Sequence, residues 1–333
     1  MTTQEATSPT SRPSSIMVGE RSLPLPVFFP SISSVKTALL PQEYLQLISS
    51  LTGLTTQFLV SAFDLAGLPD PTSALGALSA ARSQGAIVFM DSGNYESFWK
   101  DAQPVWTQDR FHETLKRFPV DLAFSFDEQK PPTDRQEHVA LVIERWRNDQ
   151  LAAGSCLIVP IVHAAADELP EICAAVAKAS GVTIIAVAER RLGDGILQRF
   201  DTVKAIRTEL NGLERYIALH LLGTGNPISI AAYTAAGADS FDGLEWCQTV
   251  VDHDTGLLYH LSQSEFFAAQ TSWAEAGLSF QARTLAHNLE FFAAWMSRLR
   301  EASAHGHVAE FCRLHFPVRA YRHIAERAGW DIS

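Results

Sequence analysis

Eight short apolar runs, each long enough for one strand, recur between Leu25 and Asp242 and alternate with stretches of helical periodicity. They are LPVFFPSISS (25–34), TQFLVSAFD (56–64), AIVFMD (86–91), VDLAFSFD (120–127), CLIVPIVH (156–163), VTIIAVAE (182–189), YIALHLLG (216–223) and ADSFD (238–242). Parallel strands need a crossover, usually a helix, so this alternation is the pattern of β/α units around a parallel sheet. Helical candidates between the runs include PQEYLQLISSL, TQDRFHETLKRF, TDRQEHVALVIERWRND, FDTVKAIRTEL and NPISIAAYTAAG, the last with Asn226 placed as N-cap ahead of Pro227. Eight units over about 220 residues predict a closed (β/α)8 TIM barrel in preference to an open doubly wound sheet.

The ends of the runs carry a second signal: Asp64, Asp91, Asp127, His163, Glu189 and Asp242 each close one. In a barrel all strand ends meet at one mouth, and a carboxylate has little other reason to end an interior strand, since burying an unpaired charge is costly. Any single one of these residues also reads as a helix N-cap or a loop residue. Beyond Asp242 the alternation stops, and residues 262–330, helical and aromatic-rich, are expected as an appended C-terminal helical layer on a single barrel domain spanning 21–333. The Ser/Thr/Pro-rich residues 1–20 are expected to form a flexible tail.

A chain of 333 residues that is 47% hydrophobic can bury a large core. Its net charge of −11 argues against broad non-specific attraction to nucleic acid, while leaving room for a local basic groove. Cys156, Cys173, Cys247 and Cys312 form no CxxC pair and read as small buried hydrophobes of a reducing compartment. No apolar run approaches the roughly 20 residues of a membrane span, and the opening residues lack the apolar centre of a secretory signal, so the expectation is a cytoplasmic protein with no membrane partner.

Asp91 and Asp242 are each followed by small residues, Ser92-Gly93 and Gly243, which let a substrate approach closely. Two carboxylates facing one cavity suit displacement at a sugar C1′ carbon, one as nucleophile and the other handling the proton, and glycosidases divide the work in the same way. The surrounding residues are more specific. FMDSGNYE resembles the Asp-Ser-Gly-Gly-aromatic-Gln segment of the tRNA-guanine transglycosylase family, and VDLAFSFDE resembles that family's base-recognition strand. HLLGTGNPISIAAYTAAGADSFD is similar to its His-Leu-(Leu/Met)-Gly-x-Gly segment with the Phe-Asp of the nucleophile at matching distance. LPVFFPSISSVKTALLPQEYLQL, AERRLGDG and TLAHNLEFFAAWMSRLREASAHGHVAEF resemble the opening strand and helix, the Gly-Gly-Leu-Ala-Val-Gly-Glu-Gly loop and the C-terminal His-Asn-Leu helix, in the same order from about residue 24 to about residue 312.

The resemblance implies a barrel and a set of roles. Asp242 would be the nucleophile at C1′ of a guanosine nucleotide, forming a covalent glycosyl intermediate, and Asp91 the general acid/base. Asp127 would accept hydrogen bonds from N1-H and the 2-amino group of a guanine-like base, and Tyr95 would stack on its face. Ser92, His163 and Glu189 complete the expected base-binding set. The implied partners are a tRNA or DNA with its target base unstacked, and guanine or a 7-deazaguanine of the preQ0/preQ1 type; no cofactor is implied, and the family's habit suggests a homodimer.

The departures are equally specific. The family's Cys-x-Cys-x-x-Cys cluster joins the His of His-Asn-Leu on a structural zinc, whereas residues 243–282 contain only Cys247, leaving His287 alone. The segment from Gly243 to Ala282 holds no Lys or Arg, where tRNA-modifying members carry basic residues; Arg313, Arg319, Arg322, His323 and Arg327 are the alternative phosphate-binding candidates, or a solvated helix face. His163 stands in place of the family's Gln, Asn94 in place of its second Gly, and Glu189-Arg190 in place of its Gly-Leu, while Asp194 matches an acidic loop residue. These changes keep a second reading open, a non-catalytic paralogue that binds a base or nucleic acid or acts as a scaffold subunit. The zinc expectation is checked by elemental mass spectrometry of the purified protein: no zinc is expected, and one zinc per chain would overturn it.

Overall fold

The computed structural model describes residues 11–331 apart from 36, 52 and 101–104, with backbone alone at 98–100. The eight runs form eight barrel strands: β1 Val27–Ile32, β2 Gln57–Ser61, β3 Ile87–Asp91, β4 Leu122–Phe124, β5 from Leu157–Val159 and Ile161–Val162 joined through Pro160, β6 Ile184–Ala188, β7 Ala218–Leu222 and β8 Ser240–Gly243. Every barrel pairing is parallel. The two segments of β5 are the two ends of the ladder, one against β4 and the other against β6, so the sheet closes on itself as a (β/α)8 barrel. Pro160 has no N–H to give the ladder, which is why the strand is interrupted there.

Period-two alternation sorts the strand residues into two cores. One set, including Val27, Phe29, Leu59, Ile87, Phe89, Leu122, Phe124, Val159, Ile184, Ala186 and Ala218, packs inside the barrel. The opposite set packs outward against the helices, among them Pro41–Ser50, Pro71–Ser83, Arg135–Ala152, Leu169–Ser180, Ile196–Asn211 and Pro227–Ala236. The last begins as expected, with the Asn226 side chain accepting from the backbone N–H groups of Ile228 and Ser229. After β8 come a short antiparallel ribbon, Thr249–Val251 with Leu258–His260, a run of 3-10 turns, and the helices Phe280–Ala304, Val308–His315 and Val318–Ala328. Among the described residues no helix is long and apolar enough to cross a membrane.

The tail expectation needs correction for residues 11–20; residues 1–10 lie outside the described residues. Ser15–Val18 pairs antiparallel with Arg21–Pro24, and Val18, Leu23 and Leu25 close the floor of the barrel interior. Polar composition concealed this, because what holds the segment is a pair of arginines. Asp239, just before β8, accepts from Leu219 N of β7 at 2.8 Å, from Arg207 at 2.9 Å, from Arg12 at 2.6 Å and from Tyr216 Oη at 2.6 Å. Four strands away, Asp121, just before β4, accepts from Val88 N of β3 at 2.9 Å and from Arg82 at 2.8 Å, with Arg21 at 3.6 Å. In each case the arginine from the main barrel comes from the helix leading into the preceding strand, so the floor is clamped twice with approximate twofold symmetry.

Asp239 is fully buried, and removing one member of such a cluster strands the remaining charges in a dry site. Asp239→Ala is therefore expected to destabilise the fold by about 3–5 kcal/mol. Asp201→Ala, which breaks the exposed pair with Arg327, should cost less than about 1 kcal/mol. Urea unfolding midpoints of the two variants check both figures.

Candidate functional site

Inward alternation carries through to the top of the barrel, where the apolar layers end in polar ones. Ser31 follows Val27 and Phe29 in β1 with Ser33 just past its end, Asp91 follows Ile87 and Phe89 in β3, His220 follows Ala218 in β7, and Ser240 and Asp242 line β8. A cavity of about 510 Å³ opens above them. It is lined by the seven residues to which the resemblance gives catalytic or base-binding roles, Asp91, Ser92, Tyr95, Asp127, His163, Glu189 and Asp242. Ser31, Ser33, Glu96, Gln129, Arg190, Arg199 and Glu245 line it as well.

Asp242 is buried and held by three donors. Ser31 Oγ donates to Oδ2 at 2.8 Å, and Gly223 N to Oδ1 at 3.2 Å. His220 Nε2 lies 3.0 Å from Oδ1 and its Nδ1 lies 2.7 Å from Ser240 Oγ, so the tautomer with Nε2–H donating satisfies both nitrogens. His220 is itself fully buried among Phe29, Phe89 and Phe124. The support continues outward: Trp246 Nε1 donates to Ser31 O, and Asn288 Nδ2 donates to Trp246 O and Thr249 O, tying the long C-terminal helix to the segment beyond the carboxylate.

Asp91 ends β3 two strands beyond β1, with Gly93 N donating to its Oδ2 at 3.0 Å. Gly93 has φ +83°, and a Cβ there would lie 2.6 Å from Phe63, so only glycine fits this turn. Burial, then the neighbouring charge of Glu96, pushes the Asp91 carboxyl well above the ordinary carboxylate range, against the Gly93 hydrogen bond; Asp127 and Asp242 push the same way. Glu96 is buried and accepts from Ser33 Oγ at 2.8 Å, and its second oxygen has no hydrogen-bond partner among the described residues. Burial, followed by the charge of Asp64, pushes it up to about 7. Burial likewise pushes Glu245 up to about 7, where its carboxyl lies against Gly225 and Gly243; a Cβ on Gly243 would meet it at 2.4 Å.

The opposite side of the cavity is a hydrogen-bonded web around Asp127. Phe126 N donates to buried Asp149, which fixes the backbone just before it. His163 Nε2 approaches Asp127 Oδ2 at 2.5 Å, the Gln129 amide donates to the same oxygen, and Asn94 Nδ2 donates to Oδ1 at 2.8 Å. Burial opposes the Asp127 charge, yet the His163 hydrogen bond and charge and the Asn94 bond hold it below the ordinary range. Gln129 Oε1 accepts from Arg190 at 2.7 Å, and the Arg190 guanidinium lies over the Tyr95 ring, 5.6 Å from its centre.

Some sequence readings shift in this setting. Glu189, expected to contact the base, is tied to the wall of the cavity, where it accepts from Arg199 at 2.9 Å and Tyr233 Oη at 3.0 Å. Asp64 turns to the β1 loop, accepting from Ser34 N at 2.7 Å, and Asp194 is exposed beyond the cavity lining. The basic tail packs on the outside, with Arg327 on Asp201 and Arg313 near Glu310. Asp91 on β3 and Asp242 on β8 sit three strand positions apart around the barrel. Ser31, Ser33, Glu96, Gln129, His220 and Glu245 were not singled out; His220, a lone polar residue inside YIALHLLG, was the one with a visible signal.

The residues do not fit a zinc ion. His287 Nε2 donates to Val251 O at 2.8 Å and its Nδ1 lies 3.3 Å from Thr271 Oγ1, so both ring nitrogens have partners within the chain. Among the described residues no group of three or more His, Cys, Asp and Glu is arranged to hold a metal ion.

Glu96 yields a pH prediction. A carboxyl whose folded-state pKa rises from 4.5 to about 7 loses stability as pH climbs through that window, because the unfolded chain ionises first. Wild-type stability is expected to fall between those values by on the order of 3 kcal/mol on account of this group, and Glu96→Gln to flatten the fall. Thermal melts from pH 4.5 to 8 check the sign: an equal fall in the variant would exclude Glu96 as its source. In comparisons with known proteins, no family model matches this chain and no curated protein matches it in sequence.

Proposed function

We propose that the chain replaces guanine in a nucleic acid, tRNA or DNA, by a 7-deazaguanine base, through a covalent aspartyl-glycosyl intermediate of the kind its motifs imply. The observation that carries this reading is the pair of carboxylates in one cavity with contrasting surroundings. Asp242 is encircled by the donors of Ser31, His220 and Gly223, while burial and Glu96 push Asp91 toward its protonated form. Environments that separate two carboxyl groups in this way mark acid and nucleophile roles.

In the first half of the reaction an Asp242 oxygen attacks C1′, the C1′–N9 bond breaks with its electrons passing to the purine, and the Asp91 proton goes to the departing base. The products are a glycosyl ester on Asp242 and neutral guanine. In the second half the incoming base gives its N9 proton to Asp91 and attacks C1′, and the ester bond to Asp242 breaks. Ser31 and His220 orient the nucleophile and take up the returning negative charge. Arg190, which lines the cavity, and Arg191, which bonds the same Gln129, would meet the phosphates of a bound polymer.

One observation favours a second reading, a non-catalytic barrel that binds a base or nucleic acid or serves as a scaffold subunit. Asp127 is already occupied by His163, Gln129 and Asn94, and Arg190 lies over Tyr95. Incubation with tRNA or DNA and labelled guanine or 7-deazaguanine separates the two. Base exchange is expected in wild type and a loss of at least about 10³-fold in Asp242→Ala. Its first half should slow as pH rises through the elevated Asp91 pKa, because the proton donor is then lost. No incorporation into either polymer, with Asp242→Ala indistinguishable from wild type, would move the assignment to the non-catalytic reading.

A further inference from the structure

The web around Asp127 bears on which base the pocket accepts. An ionised carboxylate offers about four lone-pair positions. Here Oδ2 faces His163 Nε2 at 2.5 Å and the Gln129 amide, and Oδ1 faces Asn94 Nδ2 at 2.8 Å and Ser92 Oγ at 3.5 Å. All four positions are taken by the chain itself.

The four donors are not equally fixed. His163 and Ser92 are buried at 4% and 1% exposure. Asn94 is held at two points, since its amide nitrogen also lies 2.9 Å from the Asp127 main-chain oxygen, at the start of the helix Asn94–Lys100. Gln129 is anchored on its far side by Arg190 through an exposed hydrogen bond. It is the donor that can leave without opening the core, and its departure frees one acceptor position on Oδ2.

We propose, resting on the base-exchange reading above, that Asp127 offers an incoming 6-oxopurine one acceptor rather than two. Gln129 is the group displaced, and Asn94 the residue that removes selection for a 2-amino group. A guanine edge presents N1-H and the 2-amino group side by side and gains from both only where two carboxylate oxygens are open. With Oδ1 held by Asn94, the N1-H takes the position vacated by Gln129 and the 2-amino group finds no carboxylate oxygen. The substrate class is then 6-oxopurine bases with or without a 2-amino group. Arg190, released from Gln129 in the same movement, uncovers Tyr95 for stacking.

Calorimetric titration of the full chain with 7-deazaguanine and 7-deazahypoxanthine tests this in wild type, Asn94→Gly and Gln129→Ala. Wild type is expected to bind the two bases within about threefold of each other, and Asn94→Gly to favour the 2-amino base by about tenfold or more. Gln129→Ala should tighten both by a common factor, because nothing has to be displaced. Circular dichroism monitors folding, and Asn94→Ala gives the same comparison if the glycine variant is unfolded. A wild-type preference of about tenfold for the 2-amino base, or a ratio unchanged by loss of the Asn94 amide, would overturn the inference while leaving base exchange standing. Failure of every variant to bind either base would count against the base-exchange reading itself, and this inference would fall with it.

Discussion

Closure of the parallel ladder is the constraint on which everything else in this chain depends, and two buried Asp–Arg clusters secure it from below. Asp239 and Asp121 each bridge their own strand to the preceding one through both main-chain and side-chain hydrogen bonds. Each also draws in an arginine from the helix behind and another from the N-terminal segment. A buried ion pair of this kind contributes little net stability over an apolar replacement, yet is costly to break, so it acts mainly to define one arrangement. Here it sets which strands are neighbours and fastens the hairpin that seals the interior.

With the floor dry and closed, polar groups on the inner faces can collect only at the top. Among the described residues the mouth gathers more carboxyl groups than cations, and they respond in two ways. Asp127 and Glu189 find cationic or histidine partners, in His163 and Arg199. Asp91, Glu96 and Glu245 have none of comparable strength among the described residues, and burial drives them toward the neutral acid. A carboxyl pushed toward its acid form beside a hydrogen-bonded carboxylate would suit the displacement at a sugar carbon proposed above.

Much of the fold was readable before any coordinates, because strand and helix periods and strand-terminal polar residues are local properties. All eight runs became strands, and Asn226 capped its helix as its position ahead of Pro227 required. The ordered residues of the N-terminal segment were misread because Arg12 and Arg21 find their partners more than sixty residues away, and composition carries no sign of that. Glu96 and Gln129 escaped notice for a related reason: each lies a few residues past a strand end, in positions where exposed polar residues are common.

The sequence by itself determined the period of the elements, the identity of the residues that end each strand, and a cysteine spacing that offers no set of zinc ligands. Those follow from side-chain chemistry and spacing along one chain. Only the tertiary structure decided which strand ends share a cavity, that Asp127 is already satisfied by His163, Gln129 and Asn94, and that Asp91 is pushed toward its acid form while Asp242 is ringed by donors. Hydrogen-bond saturation and desolvation depend on what surrounds a group in three dimensions, and residues from five or more strands meet at this mouth from positions up to about two hundred apart in the chain.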